Sequence, residues 1–521
     1  MNKIELLILL LLAIALLAQL AGRLRVPYPV LLVLAGLGIA LVPGIPHIDL
    51  ESDIVFLVFL PPLLYAAALV SSPRDLWAQA GRIGMLAIAL VVLTVVVVAA
   101  AARLLIGDIS WPMAFVLGAV LAPTDPVAAT SVFRRMPVPE RVVTVVEGEA
   151  LVNDGVGLTL YRVAVGAATA GTFSVGTALV QTVLVAAGGV AVGFGVGWAL
   201  AHLKRRVQEP EIEITLSLFT PYAAYIAAEQ LHVSGILAAV TVGLYSGWRA
   251  SDVFMPETRV KILAFWSAVA FLLDSVLFVL VGLQLPVVLD ALAPRPLARY
   301  LLPALGIALA AMAVRMAFVL VVAAIRDTLP RAKDALPRGE RLVVGWSGMR
   351  GAVSLAAALA IPATTASGDP LPGRELVLLT TFVTILVTIV VQGLTLPVLV
   401  RAAGLGRSAE EEQREQEARL QAAEAALERL DQAGARDEAP DTTVERLRTT
   451  YSEHAERAAA ELDDTNVETE DTSEAYRELR TLTLEAERDA IRRLRREGKL
   501  SNDAARRLQH EIDLAESRLR T

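Results

Sequence analysis

Apolar residues in this chain come in long runs, with neither the alternation of a strand nor the single stripe of a surface helix. Stretch after stretch of about 20 residues passes without closely spaced charges, the length a helix needs to cross a hydrocarbon core of about 30 Å. Thirteen spans are predicted: 4–22, 28–43, 53–70, 82–106, 112–135, 141–168, 174–203, 212–230, 233–248, 258–286, 298–326, 342–361 and 375–401. The pattern changes near Gly404. Beyond it, polar helices are predicted at Ala409–Gln432, Thr443–Leu462 and Glu474–Leu519, with breaks at Asp431–Asp441 and Asp463–Ser473. In the first of these, Ala418, Leu420, Ala423, Ala426, Leu427 and Leu430 form one apolar stripe. The expected class is an all-α polytopic membrane protein, with a transmembrane domain at 1–403 and a charged helical tail at 404–521. The tail reads as a solvated appendage or, more sharply, as a coiled-coil, self-associating or regulatory element.

Composition agrees. The chain has 521 residues, 55% of them hydrophobic, and a mean hydropathy of +0.57, too apolar for a soluble chain of this length. The net charge of −7 is unevenly spread. The tail holds 20 Lys+Arg against 30 Asp+Glu, leaving 27 and 24 of the totals of 47 and 54 to residues 1–403. An acidic tail does not indicate a nucleic-acid partner. With no cysteine, disulfides, thiolate-bound metal and thiol catalysis are excluded.

Basic residues set an orientation. One set of alternate loops carries 18 Lys/Arg and the other carries 4. Lys/Arg-rich loops stay in the cytoplasm, so the N-terminus is expected outside and the tail inside. Arg23 and Arg25 follow the first apolar run instead of preceding it, the reverse of a secretory signal, so that run is expected to be a retained span.

The candidate chemistry lies in charges placed inside spans. Asp125, Glu149, Asp154, Asp274, Arg315 and Arg350 all fall in apolar stretches. Each costs roughly 2.5–3.5 kcal/mol at mid-bilayer if unpaired. They must pair or line a wet cavity. In the fifth span, Pro123 and Pro126 flank Thr124 and Asp125. The prolines remove two backbone donors, and Asp followed by Pro is a good helix start. Two half-helices with an unwound centre are expected, against the plainer reading of a proline kink. Unwound backbone at this depth needs protein or a cavity around it, as in many secondary transporters.

In the sixth span, Glu149 and Asn153 are four apart and share a face, while Asp154 lies about 100° further round. One helix thus aims two carboxylates in two directions. A carboxylate in a partly dry cavity holds a proton more readily than in water, and its oxygens also suit a hard cation. A group that binds either cargo, but not both, couples their fluxes by competition. Arg315 is too deep to reach water, and Glu149 is its expected partner. Arg350 stands among Gly348, Met349 and Gly351, where a cation offsets the carbonyl end of a half-helix. The five histidines fall in loops, span ends or the tail, where an ordinary surface role outweighs pH sensing.

Taken in order, Phe59–Tyr65 with its Pro61-Pro62, Thr124-Asp125-Pro126, Glu147-Gly148-Glu149 with Asn153-Asp154, Phe278–Pro286 and Gly348–Leu355 resemble the monovalent cation:proton antiporter-1 family, the NhaP/NHE-type sodium/proton exchangers. The resemblance covers about residues 5–400. It implies inverted repeats with two crossed broken helices, a separate dimerisation domain, a homodimer and elevator-like alternating access. It implies Asp154 as the shared ion and proton ligand, with Asp125, Thr124 and Asn153 beside it and Na+ at Asp154 and Asp125. It implies a structural pair of Glu149 with Arg315, and no cofactor. An Asn-Asp pair looks like the electroneutral branch.

Three departures are visible. Ala150 stands where many relatives have Ser, and Ala66 where some archaeal relatives have Glu. Asp274 stands where many have Asn, as a compensating auxiliary carboxylate or a protonated, hydrogen-bonded acid. The expected function is Na+ (or Li+) exchange for H+ across the bacterial plasma membrane, serving pH and sodium homeostasis. A K+/H+ antiporter of the same fold is the alternative. A passive cation channel or membrane sensor is the reading from another class. No filter repeat, phosphate-binding loop or His-Glu-x-x-His favours a channel, an ATP-driven pump or a metalloenzyme.

Overall fold

A computed structural model of the chain describes residues 3–24, 26–42, 54–136, 138–170, 175–204, 209–250, 256–292, 296–328, 336–365, 367–405, 409–435 and 441–462, with short pieces beyond. Two compact units appear, Met1–Gly406 and Arg407–Thr521. The first is helical nearly throughout: α1 (Lys3–Leu24), α2 (Tyr28–Ala40), α3 (Val55–Val70), α4 (Pro73–Ala78), α5 (Ala80–Ile106), α6 (Trp111–Leu121), α7 (Pro126–Phe133), α8 (Glu140–Ala170), α9 (Val175–Lys204), α10 (Pro210–Gln230), α11 (Gly235–Trp248), α12 (Pro256–Leu283), α13 (Leu285–Leu292), α14 (Leu297–Asp327), α15 (Arg338–Trp346), α16 (Ala352–Leu359) and α17 (Arg374–Ala402).

Among the described residues, six segments are long and apolar enough to cross a membrane: Ala80–Ile106, Trp111–Phe133, Thr182–Leu203, Thr258–Leu292, Leu297–Asp327 and Arg374–Ala402. Leu11–Leu24, Tyr28–Ala40, Val55–Val70 and Gly235–Trp248 are shorter apolar helices. Helix α8 is absent from both sets although it is 31 residues long. It carries the motif carboxylates, and that charge lowers its hydropathy. Burial separates centre from periphery. Of the apolar part of Trp111–Phe133, 78% is buried, against 17% for Thr182–Leu203. Helix α6 packs against α5, α8 and α17, so most of its apolar residues, all but Trp111 and Phe115 near its start, meet protein. The main core, including Leu117, Leu121, Leu151, Ile307 and Phe382, forms around it. Helix α9 leaves Val183, Leu184, Val190, Phe194 and Trp198 exposed.

Two of the predicted spans are interrupted. The fifth divides into α6 and α7 around Ala122–Asp125, and the twelfth into α15 and α16 around Ser347–Gly351. The breaks meet: the Asp125 N–H donates to the Met349 carbonyl at 2.8 Å. The chain therefore has two crossed broken helices, not a kinked one.

The second unit contains α18 (Ala409–Ala435) and α19 (Asp441–Leu462), which pack on each other. Helix α18 runs past the predicted break at Asp431. Of the predicted Glu474–Leu519 helix, 482–491 is helical, and most of the rest lies outside the described residues. So does the predicted break at Asp463–Ser473.

Candidate functional site

Local sequence builds each half of the crossing. Asp125 is the N-cap of α7: its Oδ1 accepts the Val127 N–H at 2.8 Å, and Pro126 follows at the first helical position. This satisfies one of the amides a helix start leaves unpaired. Arg350 answers at the opposite ends. Its Nε donates to the Leu121 carbonyl at 2.9 Å, at the end of α6, and its Nη1 donates to the Gly348 carbonyl just beyond α15. A guanidinium, with five donors in a rigid fork, thus neutralises two carbonyl ends at once. Its own N–H donates to Thr388 Oγ1 at 3.1 Å, which fixes the break against α17.

The two glycines of the second break have a steric reason. A Cβ on Gly351 would collide with the Asp125 carboxylate, and one on Gly348 would collide with the Arg315 side chain. No larger residue fits either position without displacing a charged group.

Helix α8 sorts its polar groups by face. Glu149, 1% exposed, receives both arms of Arg315, which is 2% exposed; Nη2 donates to Oε2 at 2.7 Å and Nη1 to Oε1. Arg315 also donates to the Val344 carbonyl through Nε at 3.3 Å and Nη2 at 3.1 Å. The pair therefore ties α8, α14 and α15 together. Thr124 Oγ1 donates to Glu149 Oε1 at 3.4 Å and accepts from Asn153 Nδ2 at 2.8 Å. Asn153 belongs to this network and does not line the cavity on the other face. Asn153, expected among the ion ligands, shares the Glu149 face by its four-residue spacing and bonds Thr124.

The opposite face of α8 opens into a cavity of about 410 Å³. Asp154, Asp125, Thr124 and Asp274 line it. Asp125, Asp154 and Asp274 thus share one wall. Asp274 has no hydrogen-bond partner among the described residues, so it is an open carboxylate facing the cavity. Ala66 and Ala150 also line it, each with a methyl and no oxygen. Among the described residues no three acidic or histidine side chains converge as a multidentate metal site.

The lining follows α7 from Asp125 to Arg134, α8 from Asp154 back to Glu147, α3 toward Val70 and α12 back to Leu263. The cavity therefore runs from the crossing toward the ends where α7 stops and α8 starts. Sequence reasoning gave no role to Tyr28, Arg134, Glu147 or Thr388. Thr388 carries no sequence signal, because a threonine in an apolar helix usually bonds its own preceding turn. His202 and His232 lie away from the cavity, and His47 lies outside the described residues.

Crossed half-helices, a carboxylate at one half-helix N-terminus and an arginine at two carbonyl ends define a class: secondary transporters that build ion sites from discontinuous helices. The comparisons with known proteins agree. The family description "Sodium/hydrogen exchanger, transmembrane" matches residues 8–402, and the chain belongs to that family. It is 36% identical over 513 residues to an uncharacterised Na+/H+ exchanger of Mycobacterium tuberculosis, covering 96% of this chain and 93% of that protein. It is 33% identical over 510 residues to the Na+/H+ antiporter ApNhaP of Aphanothece halophytica, covering 96% and 94%. A sodium, potassium, lithium and rubidium/H+ antiporter of Bacillus pumilus is 33% identical over 415 residues, 76% of this chain and 61% of that one. The structure of the sodium proton antiporter of Methanocaldococcus jannaschii at pH 8 superposes with a TM-score of 0.62 at 22% identity, covering 76% and 97%. The protein is a multi-pass membrane transporter of the sodium/proton antiporter fold, not an enzyme. Monovalent cations and protons are its cargo.

Proposed function

We propose that the protein exchanges Na+ for H+, with Li+ as a second substrate, through Asp154. One observation carries this. Helix α8 satisfies Glu149 completely with Arg315, yet leaves Asp154 at a cavity beside Asp125 and the crossing. A buried carboxylate without a fixed partner needs a proton or a cation. Holding one excludes the other, and that competition is the coupling. Asp125, Thr124 and Asp274 supply further oxygens, and Arg350 holds the broken backbone in place. The Asn153-Asp154 pair, which resembles that of the electroneutral branch, supports exchange of one cation for one proton.

The finer assignments rest on the charge pattern and on the relatives. The Lys/Arg bias supports an N-terminus outside, the cavity open to the cytoplasm and the 404–521 tail inside, in the bacterial inner membrane. The exposed apolar face of α9 supports a homodimer working by alternating access. External H+ then drives Na+ export.

The test is proton-gradient dissipation in everted membrane vesicles carrying a pH-sensitive dye. Na+, Li+ and then K+ are added to the wild type and to Asp154→Asn. The wild type is expected to respond to Na+ and Li+, and the variant to none of the three. A wild type silent to every cation between pH 6 and 9, with protein present in the membrane, would sink the antiport reading. A response to K+ above Na+ would turn it into K+/H+ exchange.

A further inference from the structure

Five charged side chains line the cavity: Asp125, Asp154, Asp274, Glu147 and Arg134. Three of them surround the crossing. Glu147 and Arg134 stand apart from it, toward the open end. Glu147 and Asp154 are seven residues apart on α8. Two turns of helix put them on one face, about 10 Å apart along the axis. Glu149, between them in sequence, points the other way into Arg315.

Arg134 is the C-cap of α7. A cation is favoured at a helix C-terminus, and that accounts for a basic residue at this position. It does not account for where the charge acts. Arg134 shares the cavity wall with Glu147, Asp274 and Tyr28. Arg134 is exposed and Glu147 half-buried. Among the described residues neither forms an ion pair. Among the described residues, Arg134 is thus the one fixed cation lining a cavity that otherwise holds four carboxylates.

We propose that Glu147 and Arg134 form the mouth of the cation pathway: Glu147 is the first carboxylate an incoming cation meets, and Arg134 is a tethered cation that competes with it for the same negative space. The proposal rests on the antiport reading above. Fixed charges in a cleft with low-dielectric walls set the local concentration of mobile ions. A unit charge several ångströms away across mixed protein and water changes that concentration about 2- to 5-fold. The two residues therefore tune access from one side without holding the cargo. Salt screens such fields over about 10 Å at 0.1 M, so their effect fades with ionic strength.

The experiment measures cation-dependent proton exchange at low ionic strength in everted and in right-side-out vesicles. With Na+ on the side where α7 ends and α8 begins, Glu147→Gln is expected to raise KM for Na+ about 2- to 5-fold and Arg134→Gln to lower it by a similar factor. Glu147→Asp and Arg134→Lys keep the charges and are expected to restore wild-type KM. Choline chloride is expected to shrink both shifts, and KM from the other side is expected to stay put. If the wild type exchanges normally but neither variant moves KM, the inference is wrong while antiport stands. Shifts in the same direction for both variants, or equal shifts on the two sides, overturn it as well. A wild type without exchange removes the antiport reading, and the mouth falls with it.

Discussion

The two faces of α8 hold carboxylates five residues apart and treat them in opposite ways. Glu149 is locked: it accepts both arms of Arg315, and Arg315 gives two more donors to the Val344 carbonyl. Asp154 faces a cavity beside another carboxylate. Both residues are buried, at 1% and 7% exposure, so depth does not separate them. What differs is the presence of a fixed counter-charge. A carboxylate held by a guanidinium has no use for a mobile cation. One without that partner has to take its counter-charge from the cargo. Under the proposed function both kinds are needed: the first keeps the helices in place while the second changes occupants.

Breaking the locked face should have the largest effect on the fold. Arg315→Met leaves Glu149 buried and alone, and losing one partner of a buried pair costs about 3–5 kcal/mol. The expected outcome is a large fall in Tm of the detergent-solubilised protein. The double variant Glu149→Leu with Arg315→Met should recover much of it. Asp154→Asn should keep wild-type Tm, and a matching fall there would erase the distinction between the two faces.

Gly351→Ala tests the crossing itself. The added methyl overlaps the Asp125 carboxylate, and overpacking a tight site costs about 1–3 kcal/mol. The expected result is a moderate fall in Tm together with a drop in exchange of at least about tenfold, because displaced ligands cost far more in function than in stability. Unchanged exchange would show that the position of Asp125 does not matter.

Asn153→Ala should have the smallest effect and sharpens the comparison. Losing the bond to Thr124 is expected to lower stability by about 1 kcal/mol and to leave KM for Na+ within about twofold of wild type, since a change under about 0.4 kcal/mol in binding is less than twofold. A tenfold rise in KM would return Asn153 to the ion site.

Much of this was legible along the chain for a definite reason. A membrane makes charge and irregular backbone costly, so the few positions that carry them stand out. Pro123, Asp125 and Pro126 mark the first break by their chemistry alone, and Gly348 and Gly351 mark the second. The separation of Glu149 from Asp154 follows from helical periodicity. The same periodicity puts Asn153, expected among the ion ligands, on the Glu149 face, where it bonds Thr124. Arg134 and Glu147 were hidden for the opposite reason. A basic residue in a loop and an acid near a helix start are ordinary features, and only their shared cavity gives them a task.

By itself, then, the sequence determined the all-helical class, the sites of both breaks and the set of buried charges, because local backbone chemistry and the cost of burial act on residues wherever they are. The Glu149–Arg315 pair and the crossing of the two breaks were expected; which carbonyls Arg350 and Arg315 reach, and which face opens on a cavity, came only from long-range packing. Arg315 and Glu149 are 166 residues apart, and Arg350 and Leu121 are 229 apart. No local preference encodes such contacts, and they form only once the helices have packed.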